Sequence, residues 1–346
     1  MIARTQRFAR FWGGDGARPP GLWHAVLRPL ITAMIAGTSL LALPSVAQTY
    51  PSKPIRMIVG FAPGGGTDVT ARAIAQPLSD ALRQRVIIDN RPGADGVVGT
   101  DIAAKSPPDG YTLLMVNSGH TVNPGMYKKL PYDTIRDFAP ITLVATIANL
   151  LVVHPSLPAK SVPEFVRLAK ARPGTINYAS GGYGSSAHLA IELFKKTAHI
   201  ELVHVPYKSG GLVATALLAG EVEVSFNTIP SLISCVEAGR LRALGVSTLR
   251  RSLSVPLVPT IAEMGYPGFS ASGLAGLVAP AGTPPAVVAR IQKEVASLVK
   301  QHDLIDRFVA LGLDPIGNTP AEFDKFIRTD IDKWTQLIRD LKIHLQ

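Results

Sequence analysis

Two glycine-rich segments carry the residue types that could hold an anion. Residues 60–68 read Gly-Phe-Ala-Pro-Gly-Gly-Gly-Thr-Asp, and residues 180–186 read Ser-Gly-Gly-Tyr-Gly-Ser-Ser. Each follows a short apolar run and precedes helical periodicity, which predicts a strand, a loop and a helix start. Free backbone N–H groups and the helix macrodipole favour an anion there, and glycines let the main chain approach it. Thr67 or Asp68 is the predicted cap of the first helix.

One such loop alone is equally consistent with a tight turn that binds nothing. Because the same strand, loop and helix recur halfway down the chain, we expect two half-sites that face each other. The first loop lacks the Lys-Ser/Thr pair of a phosphate loop, and neither loop has the glycine spacing of a dinucleotide fingerprint. A nucleotide site is therefore disfavoured, and no cofactor is expected.

An enzyme is the alternative class, with Ser185 or Ser186 as nucleophile and His188 as base. Their spacing at a helix start points the side chains apart, and no Gly-x-Ser-x-Gly elbow is present. A helix cap is therefore favoured for the serines, and a packing role for the histidine. No Cys, His and carboxylate residues have metal-ligand spacing, so no metal site is expected.

Strand-like and helix-like segments alternate along the chain, which is typical of an α/β fold with a parallel sheet. Helices are predicted over residues 69–82, 97–105, 164–171, 187–197, 212–219, 286–300 and from 320 onward, with caps or capping boxes at Ser161, Thr260, Thr283 and Thr319. Polar residues after buried strands collect at the carboxyl edge of such a sheet, where ligands bind. Ordinary loop polarity is the alternative for these candidates, which are Asn117, Ser118, His120, Tyr207 and Asn227.

The chain is too long for one compact core, so two α/β domains joined by a hinge are expected. The predicted divisions are 48–150 for the first part of domain 1, 151–270 for domain 2 and 271–346 for the rest of domain 1. The chain crosses between the domains near residues 154–155 and returns later. The apolar stripe of the last helix is predicted to pack in a core, and so is the only cysteine, Cys235.

Residues 1–47 have the composition of a secretory signal. They hold five Arg and one Asp, then the apolar run 30–43, and then Ser-Val-Ala at 45–47, which has the small residues that a signal peptidase reads. Cleavage near Ala47 is predicted, with an uncleaved signal anchor as the alternative. The mature protein is expected in the periplasm.

Without that segment the chain keeps 30 basic and 24 acidic residues, a net charge of +6. The Lys and Arg residues are scattered and are not interleaved with aromatic residues, so no nucleic-acid partner is expected. A diffuse positive field favours the arrival of small anions.

Several ordered motifs resemble the Bug-type (Bordetella uptake) solute receptors of tripartite tricarboxylate transporters. They span the mature chain at residues 50–55, 61–68, 90–96, 108–113, 130–133, 177–181, 204–208 and 279–284. The resemblance implies a periplasmic-binding-protein (Venus flytrap) fold. It also implies a receptor that closes on a small carboxylate and passes it to membrane permease subunits.

In that family the two glycine loops hold a ligand carboxylate largely through main-chain N–H groups, together with bound waters. The resemblance assigns this role to both glycine loops of this chain, and the polar residues at strand ends are added to them. The predicted ligand-binding residues are then Phe61, Pro63, Gly65, Gly66, Thr67, Asp68, Asn117, Ser118, Ser180, Gly181, Gly182, Tyr183, Gly184, Ser185, Ser186, His188, Tyr207 and Asn227. The chain departs from the family pattern at two positions. Asn227 stands where many relatives have Asp, and Leu274 where an aromatic residue is usual, so the resemblance does not fix the distal group of the ligand.

The ligand class therefore spans di- and tricarboxylates, acidic amino acids, and aromatic or heterocyclic acids. We expect a monomer without metal or cofactor. A ligand sensor for a membrane signalling kinase is the alternative to uptake, and a Ser/His hydrolase is a less favoured one.

Overall fold

The computed structural model describes residues 50–207 and 210–342. The predicted signal sequence and Lys208 lie outside these ranges. The strands are β1 Ile55–Val59, β2 Val86–Asn90, β3 Thr112–Asn117, β4 Phe138–Ile147, β5 Asn149–Val153, β6 Asn177–Ser180, β7 Val203–Pro206, β8 Val224–Thr228, β9 Arg242–Val246, β10 Gly273–Pro280 and β11 Leu313–Pro315. The helices are α1 Gly66–Leu82, α2 Val97–Ala104, α3 Gly119–Met126, α4 Val162–Ala171, α5 Ser186–Ala198, α6 Gly210–Ala219, α7 Ile229–Glu237, α8 Pro285–Leu298, α9 His302–Ala310 and α10 Pro320–Leu341.

The first sheet has the strand order β11-β4-β10-β3-β1-β2. Its β1 runs parallel to β2 and β3, whereas β10 is antiparallel to β3 and β4. One face of this sheet packs against α1, α8 and α9 through a cluster of buried side chains that includes Ile74, Leu78, Ile291 and Phe308. The short turn from β1 into α1 carries the first glycine loop to the carboxyl edge of the sheet. We call this sheet with its helices the first lobe.

The second sheet has the order β7-β6-β8-β5-β9. Its β6 is parallel to β7 and β8, and β5 is antiparallel to both of its neighbours. Aromatic residues dominate one of its cores, where Phe165, Tyr178, Phe194 and Phe226 are fully buried. The turn from β6 into α5 carries the second glycine loop, so this second lobe repeats the strand, loop and helix of the first.

The chain passes between the lobes at two places in the sequence. β4 ends at Ile147 and β5 begins at Asn149, so the buried Ala148 alone separates them. The chain returns between β9 and β10, where the Ala271 N–H donates to the Ser247 carbonyl at 2.9 Å. The first crossing therefore precedes the predicted one at residues 154–155. That each lobe is a separate domain, joined to the other by a hinge, stays a prediction.

The last helix, α10, packs on both lobes. Phe323 and Ile327 belong to a core cluster of the first lobe, whereas Trp334 and Ile338 belong to the aromatic cluster of the second. The prediction that the apolar stripe of this helix is a core surface is confirmed, and the predicted capping box at Thr319 is present in full. Residues 271–346 are predicted to belong to domain 1, and α10 packs on α3 and β4 of the first lobe while also contacting α5 of the second. The domain assignment itself stays a prediction.

Two predicted helix starts differ from the structure. The Thr260 and Glu263 capping-box bonds form, but a turn follows them instead of a helix. Thr283 is not the cap of α8: the helix begins after Pro284, and the Thr283 hydroxyl donates to the Pro280 carbonyl. Helices α3 and α7 were not predicted; α3 contains Pro124 in its interior, and α7 has Pro230 in its first turn.

Cys235 lies on α7 and is only partly buried beside a core cluster, which corrects its predicted place inside a core.

Candidate ligand-binding cleft

A cavity of about 430 Å³ is lined by residues of both lobes. Nine of the predicted ligand-binding residues line it: Phe61, Gly65, Gly66, Thr67, Asn117, Ser118, Gly184, Ser185 and Ser186. The two glycine loops thus do face one another across one cleft. The remaining lining residues are Asp95, Gly119, Val122, Ile147, Asn149, Leu189, Thr228, Ala271, Ser272, Gly273 and Trp334.

Four helices begin at the wall of this cleft. Gly66 and Thr67 open α1, Gly119 opens α3, Ser186 opens α5, and Thr228 is the N-cap of α7. Each helix start carries a partial positive charge and N–H groups without intrahelical partners. The backbone N–H groups of Gly66, Thr67 and Ser186 have no hydrogen-bond partner within residues 50–207 and 210–342. The cleft therefore offers an anion several neutral donors.

A buried carboxylate shapes the first glycine loop. Asp68 accepts hydrogen bonds from the Gly64 N–H at 2.8 Å, from Asn90 Nδ2 at 2.9 Å and from Arg72 Nε at 2.8 Å. Burial alone would raise the pKa of Asp68, but these three donors hold it at about 2. The N-cap of α1 is Gly65, at φ −74°, so the predicted capping role of Thr67 or Asp68 is wrong. Asp68 instead fixes the loop from behind and leaves the helix N–H groups free.

The second loop is held by neutral groups. Ser185 is the N-cap of α5: its hydroxyl accepts from the His188 N–H at 3.3 Å and donates to the Gly182 carbonyl at 2.8 Å. The Gly184 N–H donates to His188 Nδ1 at 3.1 Å. Gly184 has φ +77°, and a Cβ built on it would lie 2.6 Å from the Met126 methyl group of the first lobe. Only glycine allows this approach of the loop to the opposite lobe.

Behind the second loop lies a stack of three rings, of which those of His188 and Tyr178 are buried and that of His204 is partly buried. The His188 and His204 rings are 4.3 Å apart, and His204 also stacks on Tyr178 at 4.8 Å. Burial lowers the pKa of His188 to about 4, and the neighbouring His204 adds to the effect. His188 is therefore neutral at physiological pH, which lets its Nδ1 accept the Gly184 hydrogen bond.

The other predicted residues do not line the cavity, for different physical reasons. Ser180 is fully buried and shares a 2.7 Å hydrogen bond with His204 Nε2, so it supports the loop from below. Gly181, Gly182 and Tyr183 lie at the outer turn, with Tyr183 exposed. His188 and Asp68 point their polar atoms into the loops themselves, as described above. Pro63 precedes the inner part of its loop and stays exposed.

Three predicted strand-end residues are also displaced from the cleft. Asn227 donates to the Gly210 carbonyl and accepts from the Thr228 N–H, so its neighbour Thr228 reaches the cavity instead. The Tyr207 hydroxyl donates to Glu221. His120, another predicted candidate, is buried edge-on against Phe138, with neither ring nitrogen hydrogen-bonded within the ranges that the structure describes.

Most residues that the sequence reasoning missed come from the crossings between lobes or from helix faces. Asn149 and Ser272 lie where the chain leaves and re-enters the first lobe. Trp334 is part of the apolar stripe of α10, and an apolar residue in such a stripe is predicted to pack in a core and not to line a ligand site. Leu274, one departure from the family pattern, is a core residue and does not line the cavity.

Catalytic chemistry finds little support in this geometry. Ser185 and His188 meet through the Ser185 hydroxyl and the His188 backbone, and the His188 ring accepts from Gly184 instead. The Ser180 and His204 pair does not line the cavity. Over residues 50–207 and 210–342, no three His, Cys, Asp or Glu side chains are grouped as metal ligands. In the same part of the chain no helix is long and apolar enough to cross a membrane.

Two α/β lobes connected by crossing segments, with a ligand-sized cleft lined from both, define the periplasmic-binding-protein fold. The family of tripartite tricarboxylate transporter receptors matches residues 70–343 of this chain. The chain belongs to that family, and the resemblance drawn from the sequence motifs is confirmed.

Similar proteins agree with this assignment. Protein BugT of Bordetella pertussis is 37% identical over 312 residues, which cover 90% of this chain and 96% of BugT. A protein from R. palustris solved with adipate is 33% identical, with a TM-score of 0.69 over 86% of this chain and 100% of that one. MatC from Rhodopseudomonas palustris, solved with bound malate, is 29% identical, with a TM-score of 0.64 over 84% of this chain and all of MatC.

Proposed function

We propose that this receptor captures a small carboxylate in the cleft and delivers it to the membrane permease subunits of a tripartite tricarboxylate transporter. One observation carries the proposal: unpartnered N–H groups at helix starts of both lobes face the same cavity. Two similar proteins were solved with the carboxylates adipate and malate. Among the described residues that line the cleft there is no Lys or Arg, so neutral donors would hold the anion.

The mechanism follows from the placement of the loops on opposite lobes. A carboxylate that accepts from Gly66 or Thr67 on one side and from Ser186 on the other adds contacts only when the lobes are close. Such a ligand shifts an open ensemble toward the closed one. The approach of Gly184 to Met126 supplies the matching contact between protein surfaces.

Export is part of the proposal. The basic and apolar segment at residues 1–47 would direct the chain to the periplasm and would be removed after Ala47. The mature receptor would then act there as a monomer. Uptake is preferred to a sensing role because the family is defined by its transporter.

Native mass spectrometry of the protein recovered from a periplasmic extract tests both parts. We expect a mature chain that begins near Gln48 and carries a bound small carboxylate. The Gly65→Val variant should fold and arrive without that ligand, since a branched side chain at this cavity-lining glycine would cover the N–H groups behind it. A bound nucleotide, or a chain retained in the membrane with residues 30–43 intact, would contradict the proposal.

A further inference from the structure

We infer that Asp95 selects the ligand, so that the cleft prefers a zwitterion, a carboxylate that also carries an ammonium-type cation on an apolar stem, to a dicarboxylate. The inference rests on the proposed function, because it concerns the second end of a ligand whose first carboxylate the two loops hold. It narrows the ligand class that the sequence leaves open, because it favours zwitterions over dicarboxylates.

Asp95 is the one charged side chain among the described residues that line the cleft. The helix starts can hold one carboxylate through neutral donors. A second carboxylate in the same cavity would find no described Lys or Arg, and it would lie in the negative field of Asp95. A cation would instead gain an opposite charge. The arrangement therefore both attracts one class of ligand and repels another, which is how binding sites achieve specificity.

The backbone holds Asp95 in place. Ala94, Asp95 and Gly96 are three consecutive residues with positive φ, at 45°, 52° and 88°. The Tyr127 hydroxyl donates to the Ala94 carbonyl at 3.3 Å, and Asn123 Nδ2 lies 3.5 Å from the Asp95 carbonyl. Both donors belong to α3 or its end. Asp tolerates the left-handed region better than most residues, so the loop can present a carboxylate from this turn.

A purely structural role for the Asp95 carboxylate would be to cap α3, whose start lies next to it. That start already has other partners. The Gly119 N–H donates to Asn117 Oδ1 at 3.0 Å, and the Thr121 N–H donates to the Ser118 carbonyl at 3.1 Å. Within residues 50–207 and 210–342 the Asp95 carboxylate accepts no hydrogen bond. It is exposed and lines the cavity, so its acceptor capacity is available to a ligand.

The rest of the wall suits an apolar stem. Its large side chains are those of Phe61, Val122, Ile147, Leu189 and Trp334. The Trp334 indole N–H donates to Asp330 at 3.0 Å, so the ring offers the ligand only apolar surface. A highly hydroxylated or multiply charged acid would lose hydration along this wall without replacing it.

Three probes of matched chain length test the inference: adipate, ε-aminocaproate and hexanoate. They end, respectively, in a second carboxylate, an ammonium group and a methyl group. Calorimetric titration of the ligand-free protein should give at least tenfold tighter binding of ε-aminocaproate than of adipate, with hexanoate between them. The Asp95→Asn variant keeps the backbone preference of the turn and removes the charge. It should lose most of this tenfold ratio.

Asp80→Asn is the matched control, because Asp80 is an exposed aspartate on α1 that does not line the cleft. It changes the net charge by the same amount and should leave the ratio unchanged. Adipate binding as tightly as ε-aminocaproate to the wild type would overturn the inference, and so would an unchanged ratio in Asp95→Asn. Both results leave the proposed function standing. If none of the three probes binds, the inference is overturned, whereas the proposed function is decided separately by the ligand that native mass spectrometry finds on the protein.

Discussion

The two glycine loops share one local plan, yet they are stabilised by opposite chemistry. The first is tied to an ionised, buried carboxylate that also pairs with Arg72. The second is tied to the neutral imidazole of His188 and to two serine hydroxyls, beside a stack of rings. Both solutions leave helix N–H groups free at the cleft. The comparison shows that an anion site needs fixed backbone donors, and that the groups that fix them can be charged or neutral.

Loss of the charged anchor should have the largest effect. Asp68→Ala leaves the Gly64 N–H and Asn90 Nδ2 without their acceptor, so we expect the free energy of unfolding to fall by about 3 kcal/mol. Urea unfolding measures the change. Asp324→Ala is the matched control, since Asp324 makes the same type of (i, i+4) pair with Arg328 on an exposed helix face. It should cost less than about 1 kcal/mol. Equal losses in the two variants would mean that Asp68 is no anchor.

The approach of the second loop to the first lobe predicts the next effect. In Gly184→Ala the new methyl group meets the Met126 methyl group at 2.6 Å, so closure is hindered. We expect the ligand Kd to rise about tenfold, or about 1.4 kcal/mol. Gly174→Ala controls for backbone strain, because Gly174 has φ +66° and the nearest atom to an added Cβ is a Glu201 carboxylate oxygen at 4.0 Å. Adding Met126→Ala to Gly184→Ala should restore part of the affinity. Equal binding by Gly184→Ala and Gly174→Ala would contradict this account of closure.

The two loops should lose their stabilising contacts at different pH values. His188 has a pKa of about 4 in the folded protein against 6.5 when unperturbed, so the unfolded chain takes up its proton first as the pH falls. Stability from this residue is complete above pH 6.5 and is lost as the pH falls toward 4. Asp68 changes from 3.8 to about 2, so its contribution is lost only below pH 3.8.

The free energy of unfolding, measured by urea unfolding at each pH, should therefore fall between pH 6.5 and 4, while the Asp68 carboxylate still holds the first loop. His188→Asn keeps an acceptor for the Gly184 N–H but does not titrate, so it should flatten this part of the profile. The buried His120, whose pKa is also lowered to about 4, titrates equally in both proteins and cancels in the comparison. Parallel profiles for the wild type and the variant would exclude His188 as the cause.

Two adjacent serines give the finest comparison. The Ser185 hydroxyl donates to the Gly182 carbonyl and accepts from the His188 N–H as the N-cap of α5. Ser185→Ala removes this cap, so it should lower the free energy of unfolding by about 1 kcal/mol. Ser186 lines the cleft, and its hydroxyl has no partner in the described part of the chain. Ser186→Ala should leave stability unchanged and weaken ligand binding by about 1 kcal/mol. Thermal unfolding and calorimetry, run on both variants, separate the roles. The reverse pattern would exchange the two assignments.

Local sequence patterns predicted the elements well and the cleft in part. A strand, a glycine loop and a helix each have a short-range sequence pattern, so both loops and the helices that follow them could be placed from the order of residues. Asp95, Asn149 and Trp334 could not be placed, because their arrival at the cleft depends on the crossings between lobes and on the packing of α10. The same limit applies to Asn227. It does end its strand, but its side chain donates to the Gly210 carbonyl at the start of the preceding helix α6, and Thr228 lines the cavity instead.

The central claim is that one carboxylate accepts from the backbone of both loops at once. Amide resonances of isotope-labelled protein report such bonds directly, because an N–H that donates to a carboxylate shifts downfield. On saturation with the carboxylate recovered with the native protein, the Gly66 and Ser186 amides should both shift downfield. The Gly174 amide, which donates to the Glu201 carbonyl and does not line the cleft, should stay in place. A downfield shift confined to one loop, or absent from both, would contradict the account.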